Sequence, residues 1–258
     1  MMRLFKYGPS SYGKIGARPL IRTRKTARDY VQSGLVAMWD GIENAGWGTH
    51  DASATTWVDL IGNSPAMTTS AASDAWEWTD NSLWTKAIAF SSNITNTDYV
   101  NALRTTYTVE YVGTIVSMVV TKYAWMMHSW ASGYQRYGGL GTTYGDKLAI
   151  YCNGAANGAG LTSTGVPFHA DDKIQTSYIY RMTEGGCDFY KDAAYIATAT
   201  SGNIVDPVSM IPAISVGGVS NDKAQSAKTH SIRIYSRALT ADEIAANCKI
   251  DKLRFNLP

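Results

Sequence analysis

The chain has no apolar run approaching the ~20 residues that carry a helix across a bilayer, which excludes a helical membrane span within it. Its first 19 residues hold basic side chains but no apolar core segment, so they do not read as a secretory signal. Cysteine is scarce and odd in number. Cys152, Cys187 and Cys248 stand far apart, which removes a disulfide framework as the organising device and leaves reduced, buried thiols as the expectation. These absences together imply a chain made and folded in a cytoplasm. Several chemistries lack their motifs as well. There is no Gly-x-Ser-x-Gly elbow, no pair of His or Cys at metal-ligand spacing, no P-loop and no dinucleotide fingerprint. No cofactor is expected.

Charged residues make up only 17% of the chain, whereas 16 Tyr, 8 Trp and 23 Gly are present. That balance favours β-structure with many turns. A length of 258 residues leaves room for one large all-β domain with a sizeable core. The clearest alternation lies at 107–112, where Tyr107, Val109 and Tyr111 face one way and Thr108, Glu110 and Val112 the other. Trp76 and Trp78 likewise share a face. Further strands are expected at 35–39, 125–130, 134–138, 147–151, 175–182, 187–191, 195–199 and 214–216, with Gly/Asn/Asp clusters between them. Residues 177–192 read as a hairpin. Near the end Thr240 stands three residues before Glu243, the spacing of a capping box, and Ile244 and Cys248 follow at i, i+4. The expected fold is therefore an antiparallel β-sandwich with a short C-terminal helix.

The net charge of +2 conceals an asymmetry. Residues 1–30 hold eight Lys or Arg against one Asp, and the remainder is mildly acidic. Gly8, Pro9, Gly13, Gly16 and Pro19 punctuate the leader too often for a helix or a packed strand. We read residues 1–33 as an extended basic N-terminal arm and 34–258 as the domain. A solvated tail is the plain interpretation. Apolar anchors at Phe5, Tyr7 and Tyr12, beside Arg18, Arg22, Arg24, Lys25 and Arg28, favour docking on an acidic neighbour instead. Nucleic acid ranks lower as that neighbour, because no recognition module accompanies the charge.

Three short motifs recur in a telling order. Trp57, Asp59, Leu60 and Gly62 follow an early apolar strand, Thr108 and Glu110 sit on the central strand, and Arg237, Ala238, Leu239, Thr240, Glu243 and Ile244 close the chain. This order resembles LamG-like domains, the concanavalin A-like jelly rolls, over roughly residues 34–253. The resemblance implies a jelly roll that serves as a binding or structural module. The residues make physical sense in that frame. Trp57 and Leu60 can insert under a sandwich edge, Asp59 can accept backbone N–H bonds in a turn, and Gly62 can take a positive φ. Some LamG-like domains bind calcium, but no Asp-rich loop singles out a site here. Jelly-roll glucanases carry Glu, Asp and Glu at alternate positions of one strand, and no such triplet occurs.

Sugar binding needs less: an aromatic ring against a pyranose face and a few hydrogen-bonding groups. In residues 125–139, Trp130, Tyr134 and Tyr137 can stack while His128, Gln135 and Arg136 can bond hydroxyls. Core packing is the competing role for these aromatics. Trp47, on the Gly-flanked loop 45–48, is a further candidate. The expectation from sequence is a non-enzymatic bacteriophage virion structural protein, present in multiple copies and held by its arm to other virion proteins, with host or mucus glycans as accompanying ligands. The alternative is an extracellular or cell-surface bacterial carbohydrate-binding protein or glycoside hydrolase of the concanavalin A-like class.

Overall fold

The computed structural model describes residues 25–68, 75–86, 90–93, 106–117, 124–131, 135–143, 147–151, 161–167, 173–181, 186–200, 213–216 and 226–258. A 3-10 turn, Ala27–Asp29, opens this path. The strands follow in order: β1 (Leu35–Asp40), β2 (Thr56–Trp57), β3 (Met67–Thr68), β4 (Trp76–Thr79), β5 (Ser82–Thr85), β6 (Phe90–Asn93), β7 (Thr106–Ser117), β8 (Ala124–Ala131), β9 (Gln135–Thr143), β10 (Lys147–Tyr151), β11 (Leu161–Pro167), β12 (Lys173–Arg181), β13 (Gly186–Lys191), β14 (Ala194–Thr200), β15 (Ala213–Val216) and β16 (Ser226–Tyr235). One helix, α1 (Ala241–Phe255), follows β16.

The strands form two eight-stranded antiparallel sheets. The first runs β14-β13-β12-β7-β16-β5-β4, and β1 pairs with the far half of β16. The second runs β11-β10-β9-β8-β15-β6-β3-β2. The expected hairpin is β12–β13, with Ser177 opposite Tyr190 and Tyr180 opposite Cys187. Alternation along β7 explains the layering. Tyr107, Val109, Tyr111 and Ile115 join the core between the sheets, together with Trp39, Trp78 and Ile234 of the first sheet and Trp57, Met67 and Val216 of the second. Trp57 meets Trp78 edge to face, ring centroids 5.5 Å apart. Each such side chain, buried from water, is worth about 1.5–3 kcal/mol. This is the expected all-β sandwich.

The outer face of the first sheet is covered at one end. The helix begins with the anticipated capping box: Glu243 N–H donates to Thr240 Oγ1 and Thr240 N–H to Glu243 Oε2. It runs for 15 residues, and Asn256, in the left-handed region at φ 53°, caps it by donating its N–H to the Lys252 carbonyl. Ile244, Asn247, Cys248, Asp251 and Phe255 recur at helical spacing and are buried. Beside the helix lies the lead-in to β1. Ala27 and Tyr30 pack with Met38, Leu60 and Ile250. Ala27 N–H donates to Glu43 Oε1 (3.1 Å) and Val31 N–H to Asn247 Oδ1 (3.0 Å). The expected arm reached residue 33. Its described part, 25–33, is built into the body, while Phe5, Tyr7, Tyr12, Arg18, Arg22 and Arg24 lie outside the described residues.

Candidate functional site

Carboxylates gather under α1, and they are closed off. Arg233 on β16 donates through Nε to Glu110 (2.8 Å) and through both terminal nitrogens to Asp251 (2.8 and 2.7 Å), and all three side chains are fully buried. Tyr30 OH donates to Asp251 Oδ1 at 2.7 Å, and its ring lies 3.9 Å from the Arg233 guanidinium. Asn247 Nδ2 donates to Glu110 Oε2 and to the Tyr235 hydroxyl. A second set adjoins: Arg254 donates to Asp40 (2.8 Å) and Glu43 (3.3 Å). Burial disfavours the Arg233 charge, but the Asp251 and Glu110 carboxylates outweigh that and hold it well above its ordinary range. Burial pushes Asp40 up to about 6 even though Arg254 pulls the other way. Tyr30 is likewise raised by burial and by the neighbouring Asp251 carboxylate, so it keeps its proton. A tyrosine, two carboxylates and an arginine have catalytic residue chemistry, but no substrate reaches groups sealed beneath a helix. This cluster holds the helix and lead-in to the sheet.

The residues selected from sequence fall in two places. Trp47 is half-buried on the loop after β1, packs beside Leu60, and carries the Arg28 guanidinium 4.4 Å from its ring centre. Arg28 is therefore engaged inside the chain, as is Lys25, whose Nζ lies 3.0 Å from Asp29. His128 and Trp130 stand on β8 and Arg136 and Tyr137 on β9. The register sets Trp130 against Arg136 and His128 against Gly139, with an irregularity between Ser129 and Trp130. The pair thus shares one stretch of the second sheet. Tyr134 lies outside the described residues. Among the described residues no group of three or more His, Cys, Asp or Glu is placed to hold a metal ion.

A partly exposed aromatic group lies elsewhere on the first sheet. Helix α1 ends at Phe255, whose ring stacks on His230 at 5.1 Å. The His230 ring sits between Asn81 O and Thr114 Oγ1, each at 3.1 Å, which fits Nδ1–H donating to the carbonyl and Nε2 accepting from the hydroxyl. Past this residue nothing in the described structure covers the outer face. Leu83 and Ala227 turn into the core, so Trp84 and Lys228 turn outward. Trp84 is partly exposed. Its indole N–H donates to Ser226 Oγ at 2.8 Å, and the ammonium groups of Lys86 and Lys228 lie 4.8 and 5.1 Å from its ring centre. Glu77, directly opposite Trp84 on β4, pairs with Lys86 at 3.3 Å. Sequence reading assigned Trp84 no site. Its alternation with Leu83 was the available signal.

No protein-family model and no curated protein matches the sequence. Solved structures do share its shape. The sialidase of Trypanosoma rangeli, in complex with 2,3-difluorosialic acid as a covalent intermediate, superposes with a TM-score of 0.64 at 14% identity over 85% of this chain and 33% of that one. The same sialidase with the inhibitor DANA gives 0.62 at 15% identity, over 84% and 33% of the two chains. The receptor-binding domain of botulinum neurotoxin C/D mosaic serotype gives 0.58 at 11% identity, over 84% of this chain and 51% of that one. The chain therefore spans a third of the sialidase and about half of the toxin domain. Likeness at this identity is likeness of fold. It nonetheless overturns the expected non-enzymatic bacteriophage structural protein: the fold is shared with sialidases, which are enzymes, and with toxin domains that bind receptors, which backs the carbohydrate-directed alternative.

Proposed function

We propose that this chain is a carbohydrate-binding domain of the concanavalin A-like kind, part of the glycan-directed class to which the sequence alternative belongs, with an extracellular or cell-surface place of action. One observation carries the reading. A partly exposed indole, Trp84, lies on a sheet face that no other described element covers, among two ammonium groups, a carboxylate and a serine hydroxyl. An aromatic face with a few polar groups around it is the minimum a sugar site requires. The T. rangeli sialidase is held with 2,3-difluorosialic acid in one structure and with sialic acid in another, and a second toxin binding domain is in complex with SialylT. Those ligands support the same class for this chain. The positions His128, Trp130, Arg136 and Tyr137 lie on the adjacent strands β8 and β9 of the other sheet.

The test is a glycan array probed with the intact chain and with Trp84→Ala. Binding to at least one glycan, weakened tenfold or more by the substitution, is the expected result. Tenfold corresponds to about 1.4 kcal/mol. Binding that survives Trp84→Ala but falls with Trp130→Ala would move the site to the second sheet. The same incubations, assayed for released sugar, test the glycoside-hydrolase side of the alternative.

A further inference from the structure

The Trp84 side of the first sheet carries a longer feature than one ring. Strand registers place Glu77 opposite Trp84, Trp84 opposite Lys228, Lys228 opposite Thr114, and Thr114 opposite Lys173. These five positions form one row running across β4, β5, β16, β7 and β12. With strands ~4.8 Å apart, the stretch from Trp84 to Lys173 spans roughly 14 Å, longer than a single sugar ring. The row is basic. Lys86 and Lys228 lie against its indole, Lys173 holds a register position in it, and Glu77 is its one acid among the described residues. Glu77 is already matched to Lys86. Among the described residues Lys228 makes no salt bridge, and its ammonium rests against the indole instead.

We infer that this row binds a linear acidic glycan, a chain bearing carboxylate or sulfate groups, laid across the strands. The inference rests on the carbohydrate-binding reading and deepens it. One sugar ring seats beside Trp84, whose indole N–H is bonded to Ser226 Oγ on the neighbouring strand β16. The acidic groups then meet Lys228 and, one strand beyond Thr114, the Lys173 position. A neutral glycan leaves Lys228 without a counter-charge, so charge supplies selectivity and the aromatic ring supplies contact. Ion pairs on an open face are screened by salt, so the preference for acidic chains falls as ionic strength rises.

The test measures calorimetric affinity of the full chain for three oligosaccharides of equal length: neutral, carboxylated and sulfated. The expected result is at least tenfold tighter binding of an acidic chain than of the neutral one, with the carboxylated and sulfated arms identifying which acid is preferred. Lys228→Gln and Lys173→Gln each reduce that preference several-fold, while Lys249→Gln on the exposed side of α1 leaves it intact. Binding of a trimer but not of a monosaccharide marks the extended row. Equal affinity for neutral and acidic chains, lost in Trp84→Ala, overturns the acidic assignment and leaves glycan binding standing. An acidic preference unchanged by both lysine substitutions also overturns it. No binding to any of the three, with all variants folded by circular dichroism, removes the carbohydrate reading itself.

Discussion

Asp59 accepts four backbone N–H groups, from Met38 (2.8 Å), Ile61 (3.0 Å), Asn63 (3.0 Å) and Ser64 (2.9 Å). Burial raises its pKa and these donors pull it back. Asp59→Ala orphans donors in a largely buried turn, each costing about 1–3 kcal/mol, so we expect urea denaturation to show a loss of at least ~2 kcal/mol. Gly113 is a second single-atom constraint. A Cβ there would lie 2.5–2.8 Å from the Tyr111 ring and hydroxyl, which are packed in the core. Gly113→Ala should cost about 1–3 kcal/mol by overpacking, read as a lowered urea midpoint with unchanged slope. Legibility differs between such residues. The Trp-x-Asp-Leu-x-Gly spacing disclosed the role of Asp59, and Gly62 takes the anticipated positive φ, +82°. Trp84 was not legible as a site, because alternation tells which side of a sheet a residue faces and not whether a distant helix covers that side.

The helix shows why an element can be recognised but underestimated. Its cap was plain in Thr240 and Glu243, yet its buried stripe contains Asn247 and Asp251, which apolar periodicity does not register. Those polar positions are explained by the strands beneath, where Glu110 and Arg233 point outward to meet them. Asp251→Ala leaves the Arg233 charge half-paired in a dry site and should cost about 3–5 kcal/mol, measured by urea titration; replacement without loss would show the cluster to be wet. Acid response separates two carboxylates of this region. Asp40 sits at about 6 against an ordinary 3.8, so the folded chain retains a proton that the unfolded chain releases. Its contribution to stability is complete below pH 3.8 and lost as pH rises through about 6. Asp40→Asn should flatten that part of the stability profile. Glu243, held near 2 by bonds from Arg237 and the Thr240 N–H, behaves oppositely. Its contribution is present above 4.5 and lost as pH falls towards 2, so Glu243→Gln should remove that acid-side decline.

At the scale of the molecule, strand alternation and Gly-rich turns conveyed the sandwich, since β7, β10 and the β12–β13 hairpin all show period-two patterning. They did not convey β2, β3 or β11, which are too short or too polar to display a period, nor which half of the outer face α1 shields. That division organises the whole fold: one end is sealed by the helix and by residues 25–33, and the other presents the Trp84 row. The two ends should therefore respond separately to truncation. A chain beginning at residue 34 loses the Tyr30 bond to Asp251, the Val31 bond to Asn247 and the Ala27 bond to Glu43. It also exposes the Arg233 cluster, against which the Tyr30 ring lies. Relative to a chain beginning at residue 25, its thermal midpoint should fall by several degrees, a loss of about 2 kcal/mol or more given one vacated aromatic site and its orphaned partners. Glycan affinity should stay within twofold, because His230 and Phe255 stand between the sealed end and the row. Equal midpoints would mean that residues 25–33 contribute nothing to the body, and their burial beside Met38 and Ile250 would then need another purpose.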